Sequence, residues 1–493
     1  MDRDRALARL KSERFDVLVI GGGITGCGIA LDAALRGLRV GLIEREDFAS
    51  GTSSKSSKLI HGGLRYLKQL QFKVTLEASR EKARLKRMAP HLVEDLPFLL
   101  PTWNRAARPM IASGLWIYDA AAGFPKGLIH KHLGRAETLA TLPGLQAEGL
   151  RGGFLYYDAR ADDCRLVLHV ARKATELGAV LANRLPATGF LKHRGRITGV
   201  RTPLFDIAAA RVVNASGVWC DEVRAADDPS AARSVRPSKG VHLIVPSRRL
   251  GITTAAMLPS ADGRIVFLIP EDDRAIVGTT DTDYAGSLDG PRAETVDIEY
   301  LLGVVNSNLP GVRLTRADVH SSYAGLRPLL LDGAEVPSKA SREHHLFESP
   351  SGLVTLTGGK LTTWRLMAKQ LVDRLTRVRC RTQALDLFAT ESRDPLSRRY
   401  GSLAGEVRDR RPLVDGLSYV WGEVDHAVER EMARTLSDVL CRRMRVALYA
   451  EDRGASAAPA VAARMAPLLG WSPAETGRQV QAYLAELDAN YPR

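Results

Sequence analysis

The sequence predicts an α/β protein with a parallel sheet, an antiparallel sheet inserted after it, and a helical domain towards the C-terminal end. Three observations carry this. Residues 15–26 read FDVLVIGGGITG, an apolar strand run that passes straight into glycines. Residues 188–213 and 241–284 hold short segments of alternating apolar and polar character, the period of half-buried strands. From about residue 390 the chain turns Ala/Arg/Glu/Leu-rich with helical period.

The first element sets the frame. Residues 15–20 form a short, nearly unbroken apolar run, interrupted by Asp16, suited to a buried parallel strand. Gly21-Gly22-Gly23-Ile24-Thr25-Gly26 fits G-x-G-x-x-G. Gly21 permits the tight turn, Gly23 lets backbone approach a pyrophosphate, and Gly26 lets the next helix pack on the sheet. That helix is expected over residues 25–36, stopped by Gly37, before a second strand at 38–43. Glu44 follows, 18 positions beyond Gly26. A carboxylate about 20 residues past the glycines holds a ribose hydroxyl and repels a 2′-phosphate. Strand, glycines, helix, strand and acid in this order predict a Rossmann-like domain binding FAD or NAD.

The rest follows in order. Residues 50–67 are rich in Ser, Thr and Gly, a loop composition that also suits contact with a pyrophosphate and a ring system. Residues 72–89 read as a charged helix, 90–101 as a loop, 110–122 as an apolar and aromatic helix, and 142–158 as loop and strand. An amphipathic helix spans 162–177, with a strand at 179–181 and a β-meander over 188–213 that ends in a small-residue turn at Gly217. Strands at 241–245, 265–269 and 275–280 precede a helix at 294–307. A strand at 353–358 then runs into Gly358-Gly359-Lys360, where a helix opens and its unpaired N–H groups offer a second cofactor contact. Residues 424–450 and 457–488 carry helical period. The expected domains are residues 1–90 with 150–235 and 340–385 for the dinucleotide, 91–149 with 236–339 for substrate, and 390–493 as helices.

Composition narrows the classes. The chain has 493 residues, 45% hydrophobic and 26% charged, enough for several domains around a substantial core. Its net charge is +14, which suits an anionic membrane surface or an anionic substrate. No stripe of basic and stacking aromatic residues appears, so no nucleic-acid partner is expected. The five cysteines are scattered without ligand spacing, which predicts buried thiols and no metal site. Residues 1–14 lack an apolar signal core and no run of about 18 apolar residues occurs, so the expectation is a cytoplasmic protein attached at most peripherally.

Several segments together resemble one family. The N-terminal glycines, TSSKSSKLIHGGLRYL at 52–67, KGVHLIVP at 239–246, IVGTTDTDY at 276–284, GLRPLL at 325–330 and GGKLTT at 358–363 resemble FAD-dependent glycerol-3-phosphate dehydrogenase, the quinone-reducing enzyme of the D-amino-acid-oxidase-like flavoproteins. The stretch ARTLSDVLCRRMR at 433–445 is similar to that family's helical domain. The resemblance spans almost the whole chain and implies noncovalent FAD. Gly21, Gly23, Gly26 and Glu44 would hold its ADP half, and Thr52, Ser53 and Ser54 its phosphates and ribityl chain. His61, Gly62 and Gly63 would lie against the flavin, with Gly217 a further backbone approach. Gly358, Gly359, Leu361, Thr362 and Thr363 would face its pyrimidine edge. The chain departs from the family at Val218, where Pro is usual, and at Glu271, where Trp is usual.

The implied substrate is sn-glycerol 3-phosphate, with ubiquinone or a related quinone as acceptor, a peripheral membrane attachment, and a homodimer as one assembly. Such a reaction needs a phosphate clamp, a proton acceptor and a dry pocket. Arginine suits the clamp because its planar fork stays charged and binds phosphate oxygens in pairs. The resemblance assigns this to Arg65 and Arg327, joined by Lys360, which stands where a helix N-terminus disfavours a cation. His242 is the candidate base and Tyr66 a hydrogen-bonding neighbour. Arg327 and Lys360 are alternative stabilisers of an alkoxide. Alternatives are a glycerol-3-phosphate oxidase using O2, another FAD-dependent oxidase of small anionic substrates, and a flavin-binding regulatory or RNA-associated protein. Residues 1–14 and 111–122 are candidate membrane contacts.

Overall fold

The computed structural model describes residues 1–64, 72–331 and 343–492. One sheet is built on the Phe15–Ile20 strand, which lies between Val40–Ile43 and Asp206–Asn214, both parallel to it. Val180–Ala182 extends it on one side, and Leu353–Gly358 with antiparallel His344–Glu348 on the other. The residues of Phe15–Ile20 are nearly all buried, as a strand covered on both faces requires. The Ile24–Leu35 helix covers one face and packs on the helices Asp163–Glu176 and Trp364–Val372. Gly26 makes this possible: a Cβ there would lie 1.9 Å from the Gly21 carbonyl oxygen. The meander appears as Gly189–His193, Arg196–Arg201 and Asp206–Asn214.

The second sheet has the long strands Val235–Pro246 and Ser321–Leu330 paired antiparallel over ten positions. Arg274–Gly278, Ile265–Glu271 and Ala255–Pro259 continue it. It also takes in Leu59–Ile60 and Gly152–Arg160, from stretches whose sequence pattern groups them with the dinucleotide-binding part. One expectation fails here. Residues 90–101 are not a loop, because Glu94–Thr102 is a strand paired along its length with Gly152–Arg160. The strand contains Pro97 and Pro101, but its other neighbour pairs only at Phe98 and Leu99, so neither proline interrupts that ladder.

The C-terminal part is helical but more broken than its period suggests. Trp421–Glu431 ends at Met432, a six-residue π turn spans Asp438–Arg443, and a short helix follows at Val446–Tyr449. Met432 and Arg445 have left-handed backbones, at φ 58° and 52°. The breaks aim Arg442, Arg443 and Arg445 into the dinucleotide-binding part. Ala458–Leu469 and Pro473–Asn490 complete the domain, separated by Gly470. All five cysteines are free and buried. Among the described residues no helix is long and apolar enough to cross a membrane, and no cluster of three metal-ligating side chains occurs.

Candidate active site

A cavity of about 1000 Å³ runs from the end of the parallel sheet, across the face of the second sheet, to the C-terminal helices. Gly21 and Gly23 line its first part, at the N-terminus of the Ile24–Leu35 helix. Gly21 has φ 115°, and a Cβ there would stand 2.6 Å from the Ala215 carbonyl oxygen. Ser53 lines the cavity beside them and accepts the Ile24 N–H at 3.0 Å. Glu44 accepts the Gly22 N–H at 2.6 Å and the Glu46 N–H at 2.8 Å. Burial raises its carboxyl above the usual range, and those two bonds oppose the shift. A carboxylate has further lone pairs for a ribose hydroxyl.

The middle of the cavity is crossed by residues 50–57, among them Thr52 and Ser54, and by His61. Thr52 gives its hydroxyl to the Leu326 carbonyl, tying this loop to the strand that carries Arg327. Thr362 bonds both the N–H and the carbonyl of His61, at 3.2 Å each. Gly217, Gly358, Gly359, Leu361 and Thr362 line the opposite wall. Gly26, Gly62, Gly63 and Thr363 do not line it. Gly62 stands behind His61, its N–H bonded to the Tyr118 hydroxyl at 2.7 Å and to Asp158 at 3.2 Å. Lys82 in turn binds Asp158 at 2.8 Å, so a buried polar network fixes the turn from behind. Arg65 and Tyr66 lie outside the described residues.

The second sheet supplies another wall of the cavity. The two motif strands pair so that His242 faces Tyr323, Gly240 faces Gly325 and Ser238 faces Arg327. With a side-chain period of two, these six residues share one face. His242 stacks on Tyr323 with centroids 4.7 Å apart. Glycines leave room beside them: a Cβ on Gly240 would meet Arg327 Nη2 at 2.4 Å, and one on Gly278 would meet His242 Cδ2 at 2.4 Å. Arg327 is held by Thr279 Oγ1 at 3.0 Å, the Thr280 carbonyl at 3.2 Å and Asp281 at 3.3 Å, and its side chain is 23% exposed. His242, Arg327 and Lys360 all line the cavity.

His242 is buried, and desolvation holds its pKa well below the ordinary value, helped by the charges of Arg327 and Lys58. The ring is therefore neutral. Nε2 is 2.7 Å from Ser57 Oγ, whereas Nδ1 is buried without a hydrogen-bond partner among the described residues. Ser57 and Tyr323 escape sequence reasoning. Ser57 is one hydroxyl among several in 52–57, and Tyr323 becomes visible only once the register of the two strands is known. Also unforeseen are Gln479, Tyr483 and Glu486 of the Pro473–Asn490 helix, which reach the same cavity. Of the two departures noted above, Glu271 pairs with Arg160 at 3.1 Å, and Gly217–Trp219 forms a tight turn with Trp219 against Arg45.

The glycine cradle, the helix N-terminus, the acid at the second strand and a long cavity ending at a sheet face fit an extended dinucleotide. The class defined is a flavin-dependent oxidoreductase. The family model described as FAD dependent oxidoreductase matches residues 16–374, and that described as C-terminal domain of alpha-glycerophosphate oxidase matches residues 352–476. The cofactor is FAD.

Glycerol-3-phosphate dehydrogenase 2 of Mycobacterium tuberculosis is 40% identical, over 98% of this chain and 90% of its own. Aerobic glycerol-3-phosphate dehydrogenase of Bacillus subtilis is 35% identical, over 90% and 89%. The structure of the glycerol-3-phosphate dehydrogenase from Bacillus halodurans complexed with FAD superposes with a TM-score of 0.82 at 31% identity, covering 99% of this chain and 97% of that one. The chain belongs to the FAD-dependent glycerol-3-phosphate dehydrogenase and oxidase family.

Proposed function

We propose that the protein oxidises sn-glycerol 3-phosphate to dihydroxyacetone phosphate and delivers the electrons to a membrane quinone. The observation that carries this reading is the convergence of Arg327, Lys360 and neutral His242 on one cavity with the dinucleotide glycines. Arg327, held in place by Thr279, Thr280 and Asp281, offers its fork to the phosphate, and Lys360 adds a second positive charge. Arg65 and Tyr66 join this clamp on the strength of the motif that contains them.

FAD, when bound, supplies the acceptor for the hydride of the carbinol carbon. His242 takes the hydroxyl proton. Because Nδ1 is buried, the proton enters at Nε2, directly or through the Ser57 hydroxyl. The resulting imidazolium sits beside Arg327 and Lys58, which favour prompt release of the proton. Stacked Tyr323 fixes the ring plane, and the buried strands on either side keep water from the reacting carbon.

The test is anaerobic bleaching of the flavin absorbance by sn-glycerol 3-phosphate, with glycerol and D-alanine as controls. Bleaching by the phosphate ester alone is expected, and bleaching by D-alanine instead would overturn the substrate. The name of the matching C-terminal domain favours a second reading, with O2 as the acceptor. Peroxide formed in step with substrate consumption, and unaffected by added quinone, would replace the first reading with the second.

Attachment to the cytoplasmic face of a membrane is part of the proposal. The Arg108–Ala121 helix and the turn after it expose Met110, Trp116, Ile117 and Phe124 beside exposed Arg105, Lys126 and Lys131. Aromatic and apolar groups ringed by cations suit an anionic bilayer surface. The N-terminal stretch does not share this character, since Arg3–Ser12 is a helix with Ala6 and Leu10 buried. Trp116→Glu with Ile117→Glu should abolish co-sedimentation with anionic vesicles and leave flavin bleaching intact. Unchanged co-sedimentation would remove this face from the proposal.

A further inference from the structure

We propose that Arg445, in the C-terminal domain, is a positioning residue for the active site. This deepens the reading of His242 as proton acceptor and rests on it in part. Arg445 is 2% exposed and sits in a left-handed turn between the π turn and the Val446–Tyr449 helix. Its guanidinium reaches out of its own domain. Nη1 donates to the Ser54 carbonyl at 3.1 Å. Nη2 donates to Asp162 at 3.1 Å and closely to Asp163, at the N-terminus of the Asp163–Glu176 helix.

Asp163 is fully buried and is the hub of the arrangement. Its carboxylate also accepts the Ser56 N–H at 3.0 Å, the Ser56 hydroxyl at 2.7 Å and the Lys58 ammonium at 3.1 Å. The Ser56 carbonyl accepts the Tyr323 hydroxyl at 2.9 Å. Residues 54–58 are thus clamped between a cation from one domain, a carboxylate from a second element and a tyrosine from the second sheet.

This segment and the residue before it both meet the site. Ser53 meets the N-terminus of the dinucleotide helix through the Ile24 N–H, and Ser57 meets His242 Nε2. A shift of the segment would move the cofactor cradle and the hydroxyl on the base together. Hydrogen bonds to buried charges have definite directions, so they fix the segment more tightly than apolar packing would. Docking of the C-terminal domain therefore sets the geometry of the cofactor site and the hydrogen bonding of His242.

The experiment compares Arg445→Lys with Arg165→Lys. Arg165 is equally buried and also ties a helix to the C-terminal domain, through Glu431 and the Arg443 carbonyl, but makes no bond to residues 52–58. Both variants should lose stability. Arg445→Lys alone should raise the FAD dissociation constant about 10-fold, measured by fluorescence titration of apoprotein without substrate. It should also displace the acid limb of the pH profile for flavin reduction. Equal FAD affinity and superimposable pH profiles for the two lysine variants would overturn the proposal.

If Arg445→Lys does not fold, Ser56→Ala decides. It removes the hydroxyl bond to Asp163 and the acceptor of the Lys58 N–H without stranding a charge, and wild-type FAD affinity together with a wild-type pH profile would overturn the proposal. Failure of the substrate reading is distinguishable: wild-type flavin would not bleach with sn-glycerol 3-phosphate, while the FAD titrations would still report on Arg445.

Discussion

Two groups of arginines in this molecule look alike in sequence and differ in their surroundings. At the junction with the C-terminal domain, Arg443 donates to Asp47 from both terminal nitrogens, to the Asp438 carbonyl at 2.9 Å and to the Glu431 carbonyl at 2.7 Å. Arg165 grips Glu431 and the Arg443 carbonyl. Both are wholly buried. At the cavity, Arg327 meets Asp281 at the longer distance of 3.3 Å, and its side chain is 23% exposed. A wholly buried guanidinium gripped by carboxylates and carbonyls is cement. One that lines a cavity and is partly exposed is placed to meet an anion there.

The comparison breaks first at the junction. Arg443→Ala removes two bonds to buried Asp47, which keeps Arg442 at 2.7 Å and Asn183 at 3.1 Å, and should cost about 3 kcal/mol in chemical denaturation. A cost near zero would mean that Arg442 by itself compensates the charge of Asp47. At the cavity, Arg327→Ala should raise KM for sn-glycerol 3-phosphate about 100-fold, the loss of a charge-assisted fork, with bound FAD unchanged. Unaltered kinetics would sink its clamp role.

A smaller effect comes from pH. Near the junction, His91 and His169 face one another with Nε2 atoms 3.4 Å apart. Burial lowers their pKa values from 6.5 to about 3 and about 4. Below the unfolded value of 6.5 the unfolded chain binds these protons and the folded one does not. Stability therefore falls as the pH drops through this window towards the folded values. The pair should remove about 2 kcal/mol between pH 6.5 and about pH 5.5, followed by denaturant midpoints. A flat profile would mean that both rings titrate in the fold as they do in the unfolded chain. The smallest effect expected is at the cofactor's ribose: Glu44→Gln should weaken FAD about 10-fold by apoprotein titration, leaving KM for substrate in the reloaded enzyme unchanged.

Local chemistry was legible wherever it depends on neighbours in the chain. The strand, glycine turn, helix and acid from Phe15 to Glu44 follow from apolar runs, the small size of glycine and a fixed offset. The Glu94–Thr102 strand was illegible because Pro97 and Pro101 speak against a strand until its uneven pairing is known. Likewise a single helical period over 424–450 hides two left-handed breaks that serve buried charges elsewhere in the fold.

The sequence by itself determined the dinucleotide turn, the α/β class and the presence of His242, Arg327 and Lys360 in recognisable motifs, since each rests on residues close together in the chain. Only the tertiary structure decided that the KGVHLIVP and GLRPLL strands are neighbours, that Ser57 meets His242 and that Arg445 reaches Ser54 from 391 residues away. Those contacts depend on strand register and on the direction of hydrogen bonds between distant segments, and a one-dimensional pattern carries neither.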